Sequence, residues 1–139
     1  MFAKLRVLAI DDEEVARKAL RRMLENLRFG AVETAAGPEA AKQVFDGNPD
    51  RWPNLILCDF AMKPMDGLQF VAWMNSRPDI KARRMPVIMV TAHADPSIVL
   101  QAMQRGVSGY LVKPFTEDAL RVRIQRAFQP PAPDPQGPA

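Results

Sequence analysis

The chain has 139 residues, of which 47% are hydrophobic and 25% are charged, and its formal net charge is +3. This length suits one domain with its own core, and the composition is that of a globular protein rather than a disordered one. The net charge is too weak for a dedicated nucleic-acid binder, no apolar run approaches the roughly 18 residues of a membrane span, and the single cysteine excludes an internal disulfide bond. We therefore expect a cytoplasmic domain that binds neither nucleic acid nor membrane directly.

Five short apolar runs predict β-strands. Because the runs show little alternation between apolar and polar residues, we expect the strands to be buried on both faces. The runs are Leu5–Ile10, Val32–Ala36, Leu55–Cys58, Val87–Val90 and Tyr110–Val112.

Helical patterns fill the intervals between these runs and follow the last one. After the last run, Leu120, Ile124 and Phe128 repeat every four residues, which places them on one face of a helix. The first helix presents another such face, formed by Ala16, Leu20, Met23, Leu24 and Leu27. Residues that commonly precede helices mark the remaining starts, at Gly37-Pro38, Asp66, Asp95-Pro96 and Thr116.

Strand and helix thus alternate five times, which predicts an α/β fold with a doubly wound, five-stranded parallel sheet and five helices on its two faces. For such a flavodoxin-like sheet we expect the strand order 2-1-3-4-5 and a ligand site at the carboxyl ends of the strands. We assign residues 1–128 to this domain. Residues 129–139 contain five of the chain's 13 prolines, so we expect a flexible tail there.

Polar residues follow four of the five predicted strands. Asp11 and Asp12 follow the first strand, and Asp59, Thr91 and Lys113 follow the third, fourth and fifth strands. The carboxyl ends of parallel strands meet at one edge of a sheet, so we expect these side chains to lie together. Three close carboxylates raise a pKa or bind a cation, and Mg²⁺ prefers oxygen ligands and leaves room for a phosphate group. With a lysine and a hydroxyl nearby, the site suits phosphoryl transfer to an aspartate, and Asp59 is the best nucleophile.

Each of these residues taken singly has a simpler explanation. Asp12 lies where an acidic residue favours the dipole of the following helix, and Asp59 could form a turn. Thr91 and Lys113 could be ordinary loop residues. Only their conjunction at four strand ends predicts a site.

The chain resembles the receiver domain of two-component response regulators, in its stand-alone form. The segments that carry the resemblance are Val7–Glu13, Leu57–Gly67, Val90–Ala92 and Tyr110–Phe115, and the match extends from about Lys4 to Phe128. It implies a signalling phosphoacceptor protein rather than a conventional enzyme. Such a protein assists its own phosphorylation and dephosphorylation. The phosphoryl donor would be a sensor histidine kinase or a histidine phosphotransfer protein.

The resemblance also assigns roles to the acidic residues. It implies that Asp59 is the phosphoacceptor and that Asp12, Asp59 and the backbone carbonyl of Ala61 bind Mg²⁺. Asp11 would act on the metal through a water molecule. Lys113 would pair with the phosphoryl group, and the bond that follows it, to Pro114, is implied to be cis.

A switch and a partner surface follow from the same resemblance. Thr91 would move toward a phosphoryl oxygen, and Tyr110 would turn inward as Thr91 moves. A downstream effector protein would bind the face formed by the fourth predicted helix, the fifth strand and the last helix.

Two alternative roles remain open, since the chain could relay its phosphoryl group to a histidine phosphotransfer protein or act as a phosphorylation-independent adaptor. A hydrolase of the haloacid dehalogenase type also forms an aspartyl phosphate, but that family expects a second acid two residues after the nucleophile, where this chain has Ala61.

Two segments fall outside these roles. The stretch from Gly47 to Asn54 is somewhat longer than the resemblance leads us to expect. A cluster of basic residues precedes the fourth strand, and we interpret it as a solvated loop. Its members are Arg77, Lys81, Arg83 and Arg84.

Overall fold

The structure is a computed structural model and describes residues 2–92 and 95–129. Within these residues, five strands and six α-helices follow one another, with a short 3-10 helix before the third strand. The elements are β1 (Arg6–Ile10), α1 (Glu14–Asn26), β2 (Ala31–Ala35), α2 (Pro38–Val44), the 3-10 helix (Pro49–Arg51), β3 (Leu55–Asp59), α3 (Gly67–Ser76), α4 (Pro78–Lys81), β4 (Val87–Thr91), α5 (Pro96–Gln104), β5 (Gly109–Val112) and α6 (Glu117–Ala127). All but the first residue of the predicted tail lie outside the described residues, so the domain boundaries stay predictions.

The strands form one parallel sheet in the order β2-β1-β3-β4-β5, which confirms the predicted topology. Every residue of β3 and β4 is buried, as their continuous apolar sequences predict. Within the described part of the chain, no helix is both long enough and apolar enough to cross a lipid bilayer.

Two hydrophobic clusters cover the two faces of the sheet. Leu8 and Ile10 of β1 point into one cluster, which α2, α3, α4 and α5 complete, and Val7 and Ala9 point into the other. The second cluster includes residues of α1 and α6, among them Leu24. This alternation along a strand explains why the strand sequences are apolar throughout.

Side-chain caps begin three of the predicted helices. The Asp66 carboxylate accepts a hydrogen bond from the Gln69 backbone N–H at 2.8 Å, and the Gln69 side chain accepts one from the Asp66 N–H at 2.8 Å. Asp95 and Thr116 cap α5 and α6 in the same position. The predicted cis bond between Lys113 and Pro114 is present.

Two predictions about helices were wrong. The basic segment predicted to be a loop contains α4, because Pro78 stands at the first turn and Ile80 is buried against the sheet, 1% exposed. The structure therefore adds this four-residue helix to the five predicted helices, and the fourth and last predicted helices are α5 and α6. Phe128 follows the end of α6 and is 39% exposed, so it does not share the buried face of Leu120 and Ile124.

Gly67 is required where α3 approaches the end of β3. A Cβ atom at this position would lie 2.7 Å from the Asp59 carbonyl oxygen and 2.6 Å from Met89 Sδ. The backbone oxygen cannot move without shifting the end of the central strand, so this contact fixes how closely α3 packs.

We expect Gly67→Ala to lower the free energy of unfolding by about 1–3 kcal/mol, because the added methyl group overpacks this contact. Gly47→Ala is the matched control: its Cβ would meet an atom no closer than 3.6 Å, and we expect a change within about 0.5 kcal/mol. Urea unfolding of both variants measures the difference. Equal stability of the two variants would contradict this steric argument.

Candidate functional site

Four strands deliver polar side chains to one edge of the sheet. Asp59 and Thr91 are the last residues of β3 and β4, and Asp11 and Lys113 directly follow β1 and β5. Asp11, Asp59 and Thr91 are 2%, 6% and 3% exposed, and they are the buried polar residues of the described chain. Burying polar groups costs free energy unless they are paired, so their concentration at one point marks a functional site.

Three carboxylates form the acidic part of the site. Asp11, Asp12 and Asp59 each place a carboxylate oxygen within 4.8 Å of the others. Asp12 is exposed, whereas the other two are buried. Carboxylate oxygens are the ligands that Mg²⁺ prefers, and an exposed ligand leaves positions for water or a phosphate group, so these residues fit a Mg²⁺ ion.

Lys113 supplies positive charge to this acidic group. Its Nζ atom donates a hydrogen bond to Asp11 Oδ2 at 2.9 Å and lies 3.6 Å from Asp59 Oδ1. Burial lowers the pKa of Lys113, but the hydrogen bond to Asp11 and the charges of Asp11, Asp59 and Glu13 outweigh burial and raise the pKa above its usual value. The ammonium group is therefore charged across the neutral range.

Asp59 has the most perturbed carboxyl group of the site. Burial and the charge of Asp11 raise its pKa from 3.8 to about 6, with a smaller contribution from Asp12. Lys113 and a hydrogen bond from the Ala61 backbone N–H act in the opposite direction. Lys113 thus does not offset the combined effect of burial and two neighbouring carboxylates, which bears out the expected rise of a pKa in this site.

Backbone contacts fix Asp11 at the end of β1. Its Oδ1 atom accepts a hydrogen bond from the Glu13 N–H at 2.9 Å, and the Arg17 guanidinium donates to its carbonyl oxygen at 2.9 Å. The Asp11 N–H continues the sheet by donating to the Ala35 carbonyl. Sequence reasoning missed Arg17, since a basic residue in the first turns of a helix carries no signal that it returns to the preceding strand.

Thr91 and Tyr110 connect the site to the outer strand. Their side chains share a hydrogen bond, and Tyr110 is half-buried against the cluster on the α3–α5 side of the sheet. Burial raises the pKa of Tyr110, the hydrogen bond with Thr91 lowers it, and the charge of Asp95 raises it, so the pKa lies above its usual value. The Lys113 N–H donates a hydrogen bond to the Thr91 carbonyl at 2.7 Å, so the backbone connects these two residues of the site directly.

The structure thus brings together the residues that the sequence predicted. The three carboxylates and Lys113 are in direct contact or close to it, and Ala61 follows Asp59 in an exposed loop. Tyr110 lies one contact further out, beyond Thr91.

A family model for the response regulator receiver domain matches residues 7–125. The chain belongs to this family. It is 32% identical over 126 residues to the chemotaxis protein CheY of Pseudomonas aeruginosa, which covers 90% of this chain and 97% of that protein. It is 30% identical over 126 residues to CheY-3 of Vibrio cholerae, with 90% of this chain and 92% of that protein covered.

Solved structures give the same result. The chemotaxis response regulator CheY4 of Vibrio cholerae matches with a TM-score of 0.79 at 28% identity, over 90% of this chain and 99% of that one. The signal receiver domain of a histidine kinase from Syntrophus aciditrophicus matches with a TM-score of 0.75 at 25% identity, over 88% of this chain and 89% of that one. The chain is therefore a CheY-like receiver domain, a signalling phosphoacceptor domain of two-component systems rather than a conventional enzyme, in agreement with the argument against a hydrolase.

We expect Asp59→Asn to stabilise the metal-free protein at neutral pH. The pKa of Asp59 is about 6 in the folded chain against 3.8 ordinarily, so the folded state binds more protons between these values and stability falls as pH rises through them. The variant lacks this loss of stability. Its free energy of unfolding should exceed that of the wild type by on the order of 2 kcal/mol at about pH 7.5, and by much less at about pH 3.5.

Urea unfolding at the two pH values, with a chelator present, measures this difference. Asp46→Asn, at an exposed position outside the site, is the control and should leave stability nearly unchanged. If Asp59→Asn proves less stable than the wild type at neutral pH, the carboxylate contributes net stabilisation and the charge argument is wrong.

Proposed function

We propose that the chain is a single-domain response regulator in which Asp59 accepts a phosphoryl group from a histidine kinase or a histidine phosphotransfer protein, and that this changes its affinity for a protein partner. The observation that carries the proposal is the position of Asp59 between a lysine and two further carboxylates. The relatives from Pseudomonas aeruginosa and Vibrio cholerae are named as chemotaxis proteins. We extend from them only the phosphorylation-driven switch, and we expect it to operate in the cytoplasm.

The residues of the site would divide the chemistry among them. An Asp59 carboxylate oxygen attacks phosphorus, forming a P–O bond while the P–N bond to the donor imidazole breaks and the electron pair leaves with that nitrogen. The Lys113 ammonium group, 3.6 Å from Asp59 Oδ1, is placed to neutralise the transferring oxygens. The ionised form of Asp59, which predominates above pH 6, is the nucleophile.

Magnesium would be held by Asp12, Asp59 and the carbonyl oxygen of Ala61, with Asp11 acting through water. When bound, the ion supplies positive charge to the phosphoryl oxygens and lowers the repulsion among the carboxylates. Asp11 already uses one oxygen for the Glu13 N–H and the other for Lys113, which supports an indirect role for it. The same arrangement would assist hydrolysis of the aspartyl phosphate.

The signal would leave the site through Thr91. A phosphoryl oxygen on Asp59 offers the Thr91 hydroxyl a charged acceptor, which competes with its hydrogen bond to Tyr110. Release of Tyr110 would shift the populations of conformations at the face of α5, β5 and α6. Three apolar side chains on α5 and β5 are exposed there and suit an effector protein: Leu100, Met103 and Val112.

Intact mass after incubation with Mg²⁺ and acetyl phosphate tests the proposal. We expect one added phosphoryl group on the wild type, none on Asp59→Asn, and none when a chelator removes the metal. Asp46→Asn, an exposed acid outside the site, should be modified like the wild type.

Two results separate the alternative roles. An unmodified wild type that also fails to bind beryllofluoride, a phosphoryl mimic, would contradict the proposal and favour the adaptor. Transfer of the label from phosphorylated protein to a histidine phosphotransfer protein would identify a relay.

A further inference from the structure

A second cleft lies at the opposite end of the sheet from Asp59. It has a volume of about 600 Å³ and is formed by the segment that leads into β1, the segment between the 3-10 helix and β3, the residues before β4 and the end of α6. Two of these segments are those that the predicted function did not use: the long stretch before β3 and the basic cluster before β4. The size is within the range of sites that hold small ligands or short peptide segments.

Basic side chains dominate the wall of this cleft. Four of its residues are basic, and Asp50 is the one acidic residue among those that line it. None of the four forms an ion pair with an acidic side chain anywhere in residues 2–92 and 95–129. They are Lys4, Arg6, Arg83 and Arg84, and all four are exposed. A cluster of unneutralised cations attracts an anionic partner. Four basic residues and one acidic residue give the lining an excess of three positive charges, which equals the net charge of the whole chain.

Apolar residues form a smaller part of the lining, beside the basic side chains, Asp50 and Asn54. Leu5, Pro53, Met85 and Pro86 contribute to it, and Phe128 stands at its edge with 39% of its surface exposed. An apolar surface bordered by cations is complementary to a peptide in which carboxylates and apolar side chains occur together. A simple inorganic anion would leave the apolar part unused.

Trp52 gives an independent sign of a missing partner. It lines the cleft and is 6% exposed, and its indole Nε1 atom has no hydrogen-bond partner. Among buried side-chain nitrogen and oxygen atoms of the described residues it is the only one in this state. An unsatisfied buried donor destabilises the free protein. Because the Nε1 atom is itself buried, a ligand oxygen would reach it only after a side chain at the wall of the cleft moves.

The same residue argues against nucleic acid as the ligand. Single-stranded nucleic acids bind by stacking bases on open aromatic faces. The Trp52 ring is buried, it makes an edge-to-face contact with the Phe45 ring, and the Arg83 guanidinium lies 5.2 Å from its centroid. No open ring face is therefore offered by Trp52, whereas the arginine remains free to bind a carboxylate.

We propose that this cleft binds an acidic, partly apolar peptide segment of another protein. Its carboxylates would contact Lys4, Arg6, Arg83 and Arg84, and one of its oxygen atoms would accept a hydrogen bond from the Trp52 indole. The cleft adjoins the amino ends of the strands whose carboxyl ends carry the aspartates. A five-residue strand is about 16 Å long, so this length of strand separates the cleft from the aspartates. This second site goes beyond the proposed function and uses none of its residues, so either proposal can fail without the other.

Titration with a fluorescein-labelled peptide in which Asp and Glu alternate with Leu and Phe tests the proposal on the full chain at low salt. We expect saturable binding, which Arg6→Gln/Arg84→Asn weakens at least about fivefold. Arg84 has a positive φ of 52°, a conformation that Asn tolerates, so the double variant should keep the fold. Asp59→Asn should bind the peptide like the wild type.

The chain offers a matched control in Arg22→Gln/Arg28→Asn. Arg28 also has a positive φ, of 65°, so the two double variants change charge and backbone type alike, but neither Arg22 nor Arg28 lines the cleft. We expect this control to change the affinity less than about twofold. Equal weakening by both variants would show that binding follows net charge alone and would overturn the proposal.

The indole N–H signals in a proton–nitrogen NMR spectrum provide a local readout, with Trp73→Phe assigning the two tryptophans. We expect the Trp52 signal to move on addition of the acidic peptide and to stay in place with a version in which Asn and Gln replace the acids. An unmoved Trp52 signal at saturation, or tighter binding of single-stranded DNA of equal charge, would overturn the proposal.

Discussion

The site depends on a charge imbalance that one lysine does not remove. Lys113 reaches Asp11 at 2.9 Å and Asp59 at 3.6 Å, but Asp12 lies beside them without a cation of its own within the described chain. Burial of the carboxyl group, together with the remaining repulsion from Asp11 and Asp12, raises the pKa of Asp59 to about 6. A receiver domain with this arrangement suits a divalent cation, because the cation brings positive charge to the three carboxylates. It also suits a phosphoryl group, because the phosphoryl oxygens can pair with the Lys113 ammonium group.

The fold creates this imbalance by bringing together residues that are distant along the chain. Lys113 and Asp11 are 102 positions apart in sequence. The order β2-β1-β3-β4-β5 places β3 between β1, which Asp11 follows, and β4, which ends in Thr91. Gly67 then lets α3 pack directly against the Asp59 carbonyl. The packing of α3 and the position of Asp59 are thus linked at the same backbone atom.

Sequence reasoning succeeded where a local pattern has a unique spatial consequence. Apolar runs that end in Asp59, Thr91 and Lys113 can meet only at one edge of a parallel sheet. It failed where burial is decided by distant segments. Ile80 forms part of a helix because it packs on the sheet, while Phe128 stays exposed because α6 ends before it. The basic cleft was missed for a similar reason, since its four cations come from two segments that adjoin only in the folded chain.

We propose above all that Asp59 accepts the phosphoryl group while Lys113 and a metal ion supply positive charge to its oxygen atoms. A crystal structure of the chain with Mg²⁺ and beryllofluoride tests this claim most directly. We predict that beryllofluoride is attached to an Asp59 carboxylate oxygen, that Lys113 and Thr91 contact its fluorine atoms, and that Mg²⁺ is bound by Asp12, Asp59 and the Ala61 carbonyl oxygen. A structure in which Asp59 carries no beryllofluoride and Lys113 still pairs with Asp11 would contradict the account.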